Sequence, residues 1–144
     1  MSASIFLLWL PNLLVAKPLD VTSFAESMLI GKHIQWFIGD ANHIPSDDEF
    51  HVSQNEILSF GVSDKTMWLK LELRNPKEFP YTVILENDYG PLHTLELLGQ
   101  DKKYMGSAGE TIPMHQWPIQ YRRPAFKIAI PPGNHSYYLK VQTY

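Results

Sequence analysis

The sequence predicts an all-β protein, an antiparallel sandwich or barrel assembled from short strands. Turn signals recur roughly every 8–12 residues, and the runs between them alternate between apolar and polar positions. The chain also holds 11 prolines and 8 glycines and has few long helix-forming stretches. Residues 65–74 (KTMWLKLELR), between a turn at Gly61 and an Asn75-Pro76 stop, show the alternation most clearly. Successive side chains on a strand point to opposite sides, so Met67, Leu69, Leu71 and Leu73 share one face and Trp68, Lys70, Glu72 and Arg74 the other. The leucine face is predicted to lie in a core. A Trp among charged residues calls for a covering loop or a ligand.

The remaining elements follow in order. Residues 1–16 (MSASIFLLWLPNLLVA) carry no charged side chain; their apolar stretch, broken at Pro11-Asn12, is too short to span a bilayer and fits the hydrophobic region of a signal peptide. The positive residues that usually open such a leader are missing, and a buried N-terminal helix or strand is the alternative. Export with cleavage after Ala16 is the expectation, leaving one extracytoplasmic domain over residues 17–144. Residues 19–24 read as a first strand, 26–30 as a short apolar piece closed by Gly31, and 33–38 (HIQWFI) as a strand ending at Gly39-Asp40. A polar loop at 40–49 and a brief apolar run at 57–60 precede the central strand. Strands are predicted at 81–86, 92–98, 124–130 and 135–143, with a short edge at 104–105. Turns fall at 87–91, 100–103, 106–109 and 131–134, where Gly, Pro, Asn and Asp cluster.

Composition narrows the function classes. The chain has 144 residues, enough to bury one sizeable core, with 44% hydrophobic, 12% aromatic and 19% charged residues, which is a globular balance and not a disordered one. A net charge of −3 gives no basic surface for phosphates, so nucleic acid is excluded as a partner. The absence of cysteine excludes disulfides, thiolate metal sites and a Cys nucleophile. No Gly-x-Ser-x-Gly, phosphate-cradling glycine loop or His-Glu-x-x-His occurs, so no enzyme signature is present and no cofactor is expected.

Several motifs, taken in succession, carry a family resemblance. They are Gly61-Val62-Ser63, Trp68-Leu69-Lys70-Leu71, Arg74-Asn75, Leu85-Glu86, Leu95-Glu96-Leu97 and Gly109, then residues 118–126 (PIQYRRPAF), Pro132-Gly133 and residues 138–142 (YLKVQ). Over roughly residues 20–144 the chain resembles the type 2 extracellular sensor domain of bacterial seven-transmembrane receptors with diverse intracellular signalling modules (7TMR-DISM). One departure is Trp117, where members often have Arg before the Pro. The resemblance implies a jelly-roll β-sandwich akin to carbohydrate-binding modules, held outside the cytoplasmic membrane. It further implies coupling to a seven-helix membrane signalling receptor that is absent from this chain, since no segment beyond the leader approaches membrane-span length.

Two groups of residues are candidates for ligand binding. Trp68 would share a sheet face with Tyr138 and Lys140 if the central and last strands are neighbours; rings can stack on sugar C–H faces while Lys, Glu and Gln bond hydroxyls. The plainer reading is a Trp buried beneath a loop as a sandwich anchor, and it takes precedence. The segment 114–123 (MHQWPIQYRR) gathers His115, Trp117, Tyr121, Arg122 and Arg123, an aromatic-plus-Arg mix suited to recognition and, through the Arg pair, to a carboxylate. Its alternative is an edge segment whose rings cover the sandwich and whose arginines pair with surface acids. The six histidines lack zinc-ligand spacing, His93 and His135 being assigned to strands. Asp47-Asp48-Glu49 lacks the Asp-x-Asp-x-Asp-Gly calcium pattern and reads as a solvated loop, so no metal is expected. Asn134-His135-Ser136 matches a glycosylation sequon, placed in a turn. Glu72 and Glu86, if on adjacent strands, would be the pair a glycosidase needs, but charge pairing with Lys70 or Arg74 is the simpler assignment. The expected function is a non-catalytic extracytoplasmic sensor module with a carbohydrate or small carboxylated metabolite as its ligand. An exported protein-binding adhesion or assembly module is the alternative, and a small glycan-active enzyme the third reading.

Overall fold

Strands and short turns account for all the regular structure in the computed structural model, which describes residues 17–24, 26–58, 64–87 and 93–143. The strands are β1 (Leu19–Asp20), β2 (Ile34–Gly39), β3 (His51–Val52), β4 (Thr66–Asn75), β5 (Tyr81–Glu86), β6 (Thr94–Leu98), β7 (Tyr104–Ala108), β8 (Ala125–Ile130) and β9 (Gly133–Gln142). The larger sheet runs in the order β3-β2-β4-β9-β6-β7, antiparallel throughout, with β1 lying parallel to the end of β4 at Leu19↔Leu73. A second sheet pairs β5 with β8, antiparallel, over Tyr81↔Ile130 to Glu86↔Ala125. The protein is therefore an all-β, sandwich-like arrangement of antiparallel sheets.

The period-two alternation of β4 sets the core. Leu71 and Leu73 pack from the larger sheet with Ile34, Leu95, Leu97, Leu139 and Val141, and the smaller sheet answers with Phe126, Ile128 and Ile130, each no more than 2% exposed. Met67 and Leu69 join from the same face of β4, and Tyr81, Val83 and Leu85 from β5. Burial of this apolar surface is the main stabilising term, at about 25 cal/mol per Å².

Asn75 does more than stop the strand. Its side chain is 1% exposed; Nδ2 donates to the carbonyls of Phe79 (2.9 Å) and Ile130 (2.8 Å), and Oδ1 accepts from the Lys77 amide (2.9 Å). One amide thus ties the end of β4 to the turn into β5 and to the end of β8, across the two sheets. At the far edge β7 ends at Gly109, whose φ of +131° and a Cβ position only 2.7 Å from the His93 carbonyl oxygen admit no other residue without strain.

The observed elements correct several expectations. The first strand is only Leu19–Asp20, because the Asp20 carboxylate accepts from the Thr22 amide at 2.8 Å and turns the chain. Residues 26–30 form no regular element, and β3 was not anticipated. Strand β7 carries through Gly106 to Ala108, so the turn expected at 106–109 begins only at Gly109. His93 precedes β6, while Asn134 lies within β9 and not in a turn. The leader at 1–16, the turn at Gly61, residues 59–60 and most of the turn at 87–91 fall outside the described residues.

Candidate functional site

The register of the larger sheet assembles its second face. In one row Phe37, Trp68, Lys140, Glu96 and Ser107 lie side by side across β2, β4, β9, β6 and β7; in the next stand Gln35, Lys70, Tyr138, Leu98 and Tyr104. Sequence alternation predicted the Trp68 side of β4, and pairing of β4 with β9 brings Tyr138 and Lys140 to it. The three-strand neighbourhood with Leu98 was not readable from spacing.

This face has its own small core. Trp68 (3% exposed), Tyr138 (4%), Leu98 (7%) and Phe50 (9%) form a cluster with Phe37 packed on it. The segment 45–50 covers it. Pro45 and Phe50 are buried, and the intervening single turn (Asp47–Glu49) is closed by the Ser46 amide donating to Glu49 Oε2 at 2.8 Å. The expected covering loop is therefore present. Phe50 and Tyr138 rings meet at 6.0 Å with a 49° tilt, in the range of favourable aromatic pairs.

Polar groups are embedded in that cluster. The Lys70 side chain is 8% exposed, with its Nζ 3.2 Å from Glu72 Oε1 and 3.6 Å from Asp47 Oδ1. Burying an ammonium is costly unless it is paired, and two carboxylates offset the cost here. Tyr138 donates its hydroxyl to the same Asp47 oxygen at 2.8 Å, and Lys102 Nζ stands 3.8 Å from it and 5.0 Å over the Tyr138 ring. Lys140 Nζ lies 5.9 Å over the Trp68 ring. Among the described residues, Trp68 Nε1 is buried with no hydrogen-bond acceptor, a cost that a native fold seldom leaves unmet. Burial, then the bond to the Asp47 carboxylate, holds the Tyr138 hydroxyl well above its ordinary value. Burial pushes Asp47 upward too, but the Tyr138 bond and the Lys70 and Lys102 charges outweigh it and hold the carboxyl below the usual range.

The other predicted residues lie elsewhere. Trp117 is half-buried against the main core, with Nε1 donating to the Ile112 carbonyl at 2.8 Å. Pro118 seats against Gly106 of β7, so the segment straps the rim of the core. Arg123 reaches Glu86 at 3.4 Å, while Tyr121 and Arg122 are exposed. Trp68 and Tyr138 therefore come together, and residues 117–123 stand apart from them on the side of the main core. Glu72 and Glu86 belong to different sheets, which removes the adjacent-strand pair; Glu72 pairs with Lys70 and Glu86 with Arg123. Sequence reasoning did not find Lys102 as a site residue. Its only signal was an Asp-Lys pair inside a hairpin turn, where Asn-Gly is usual.

The chain is thus an all-β, sandwich-like module with a roofed polar-aromatic sheet face. The family model of 7TMR-DISM extracellular 2 matches residues 27–144, and the chain belongs to that family. The family is an extracellular sensor domain of seven-transmembrane receptors and not an enzyme class. No curated protein matches the chain. Among the described residues no helix is long and apolar enough to cross a membrane.

Proposed function

We propose that residues 17–144 form a non-catalytic extracytoplasmic sensor module, delivered by the leader at 1–16, that binds a carbohydrate or small carboxylated metabolite and is coupled to a seven-helix membrane signalling receptor. The observation that carries the reading is the Trp68 face: a buried indole N–H without an acceptor beside a buried, ion-paired Lys70, beneath a roof of only six residues, 45–50. Fully buried polar groups that bring a packed sheet no cross-sheet partner are better explained by a ligand than by stability. Trp68 and Tyr138 supply the floor, and Lys70, Glu72 and Lys140 bond hydroxyls or a carboxylate. Trp117 and Arg123 support the rim, leaving Tyr121 and Arg122 as the exposed residues of a secondary surface.

A thermal-shift panel of neutral sugars and small carboxylates tests this. One class is expected to stabilise the wild type, with the shift lost in Trp68→Phe, which keeps an aromatic ring but removes the indole donor, and retained in Arg122→Ala. A shift abolished only by Arg122→Ala would move the site to the 117–123 segment. The second reading, an exported protein-binding module, draws on the edge strand β7, where Tyr104 and Met105 are 60% and 49% exposed. A broad panel without any stabiliser would favour it.

A further inference from the structure

Asp47 is placed as a ligand would be. Three donors from three elements converge on its Oδ1: the Tyr138 hydroxyl of β9 at 2.8 Å, Lys70 Nζ of β4 at 3.6 Å and Lys102 Nζ of the hairpin following β6 at 3.8 Å. The carboxylate itself is lightly held, its side chain 60% exposed on a single turn of chain. Donors built into sheet and hairpin thus meet a carboxylate borne on a thin surface segment.

The hairpin shows a further sign of construction. Asp101 and Lys102 both adopt left-handed backbone, with φ of 61° and 57°, at the two central positions of a tight turn. Such turns strongly favour Asn-Gly because a side chain at both positions is strained. Lys102 occupies the place where Gly would be easier, and from it the ammonium reaches both Asp47 and the Tyr138 ring. Strain kept at one residue whose side chain points into a buried polar cluster is a mark of function.

We propose that the Asp47 carboxylate stands in for the carboxylate of an acidic sugar, a hexuronate, which displaces it and lifts the 46–49 segment from the sheet. The ligand carboxylate would take the Tyr138, Lys70 and Lys102 donors, and the pyranose ring would lie over Trp68 and Tyr138, with its oxygens meeting the unpartnered Trp68 Nε1 and with Lys140 close by. Glu72 stays 3.2 Å from Lys70 when Asp47 leaves, so the buried ammonium never loses all its compensation. This rests on the reading of the Trp68 face as the ligand site, and it selects within that reading a ligand that unites sugar and carboxylate. Displacement of the segment is also a structural change large enough to be passed to a neighbouring domain.

Calorimetric titration of the whole chain with D-glucuronate, D-glucose and acetate tests it. Competition by Asp47 lowers the apparent affinity by the fraction of molecules with the segment open, so Asp47→Asn is expected to bind D-glucuronate roughly tenfold more tightly than wild type, with D-glucose unchanged and far weaker. Lys102→Gly relieves the turn and is expected to keep or raise the melting temperature while weakening D-glucuronate by about tenfold. If D-glucuronate binds but Asp47→Asn leaves its affinity unchanged or lower, or if D-glucose binds equally well, the displacement idea is overturned and the site reading stands. If D-glucuronate binds neither wild type nor Asp47→Asn, the hexuronate proposal is overturned; the site reading falls with it only if the wider panel of sugars and carboxylates also gives no stabiliser.

Discussion

The two faces of β4 are held by different means. Toward the smaller sheet, Leu71 and Leu73 meet Phe126, Ile128 and Ile130 in a cluster of many apolar side chains. Toward segment 45–50, among the described residues, Trp68 and Tyr138 cluster with Phe50, Leu98 and Phe37, beside ionic and hydrogen-bonded contacts. The first face gains from every methylene it buries. The second accepts a buried ammonium and, among the described residues, an indole N–H without an acceptor. Side by side, they give β4 an apolar packing face on one side and, in our proposal, the ligand face on the other. Mutations should therefore separate the two: core changes cost stability first, and changes on the Trp68 face cost binding first.

The largest expected effect is on the core side. Phe126→Ala should lower unfolding free energy by about 3–5 kcal/mol, measured by denaturant titration, since the ring is 2% exposed with no room to collapse around the void. A cost under about 1 kcal/mol would mean that the two sheets are not packed as described. Asn75→Ala comes next, at about 2–3 kcal/mol, because it strands the Phe79 and Ile130 carbonyls and the Lys77 amide at the junction of the two sheets. Lys70→Met marks the contrast: an unbranched thioether of similar length replaces the buried ammonium, so stability should change by only about 1 kcal/mol in either direction while ligand-induced stabilisation disappears. A large loss of stability instead would assign Lys70 to the architecture.

The smallest effect is the acid response of the roof. Asp47 has a folded-state pKa below its ordinary 3.8, so its contribution is present above that value and is lost as pH falls through the lowered one. With the side chain 60% exposed, solvent screening holds this to less than about 1 kcal/mol. A small change in Trp fluorescence as pH falls below about 4, missing in Asp47→Asn, is the expected signature. An identical change in both proteins would show that the roof does not depend on this carboxylate.

What could be read beforehand follows the range of the interactions. Strands β4, β5 and β8 were legible because alternation is local, and the leucine face of β4 followed from it. The two-residue strands β1 and β3 leave too short a pattern, and Asp20 ends β1 through a side-chain bond that spacing does not reveal. The Trp68 face was half legible. Its strand partners Tyr138 and Lys140 could be named once β4 and β9 were taken as neighbours. Its roof could not, because the Asp47–Tyr138 bond joins residues far apart in the chain and a polar loop looks solvated until it lands on something. The same limit applies to the 117–123 segment, whose Trp117 and Arg123 look free in one dimension and in three are tied to Ile112 and Glu86.

The most direct test of the ligand face is the set of indole N–H resonances in the nitrogen-labelled chain during titration with D-glucuronate and with the wider sugar and carboxylate panel. Trp68 Nε1–H lacks an acceptor, whereas Trp117 Nε1–H is committed to the Ile112 carbonyl, so a ligand on the Trp68 face should move the first saturably and leave the second in place. Movement of Trp117 with Trp68 unchanged would contradict the account.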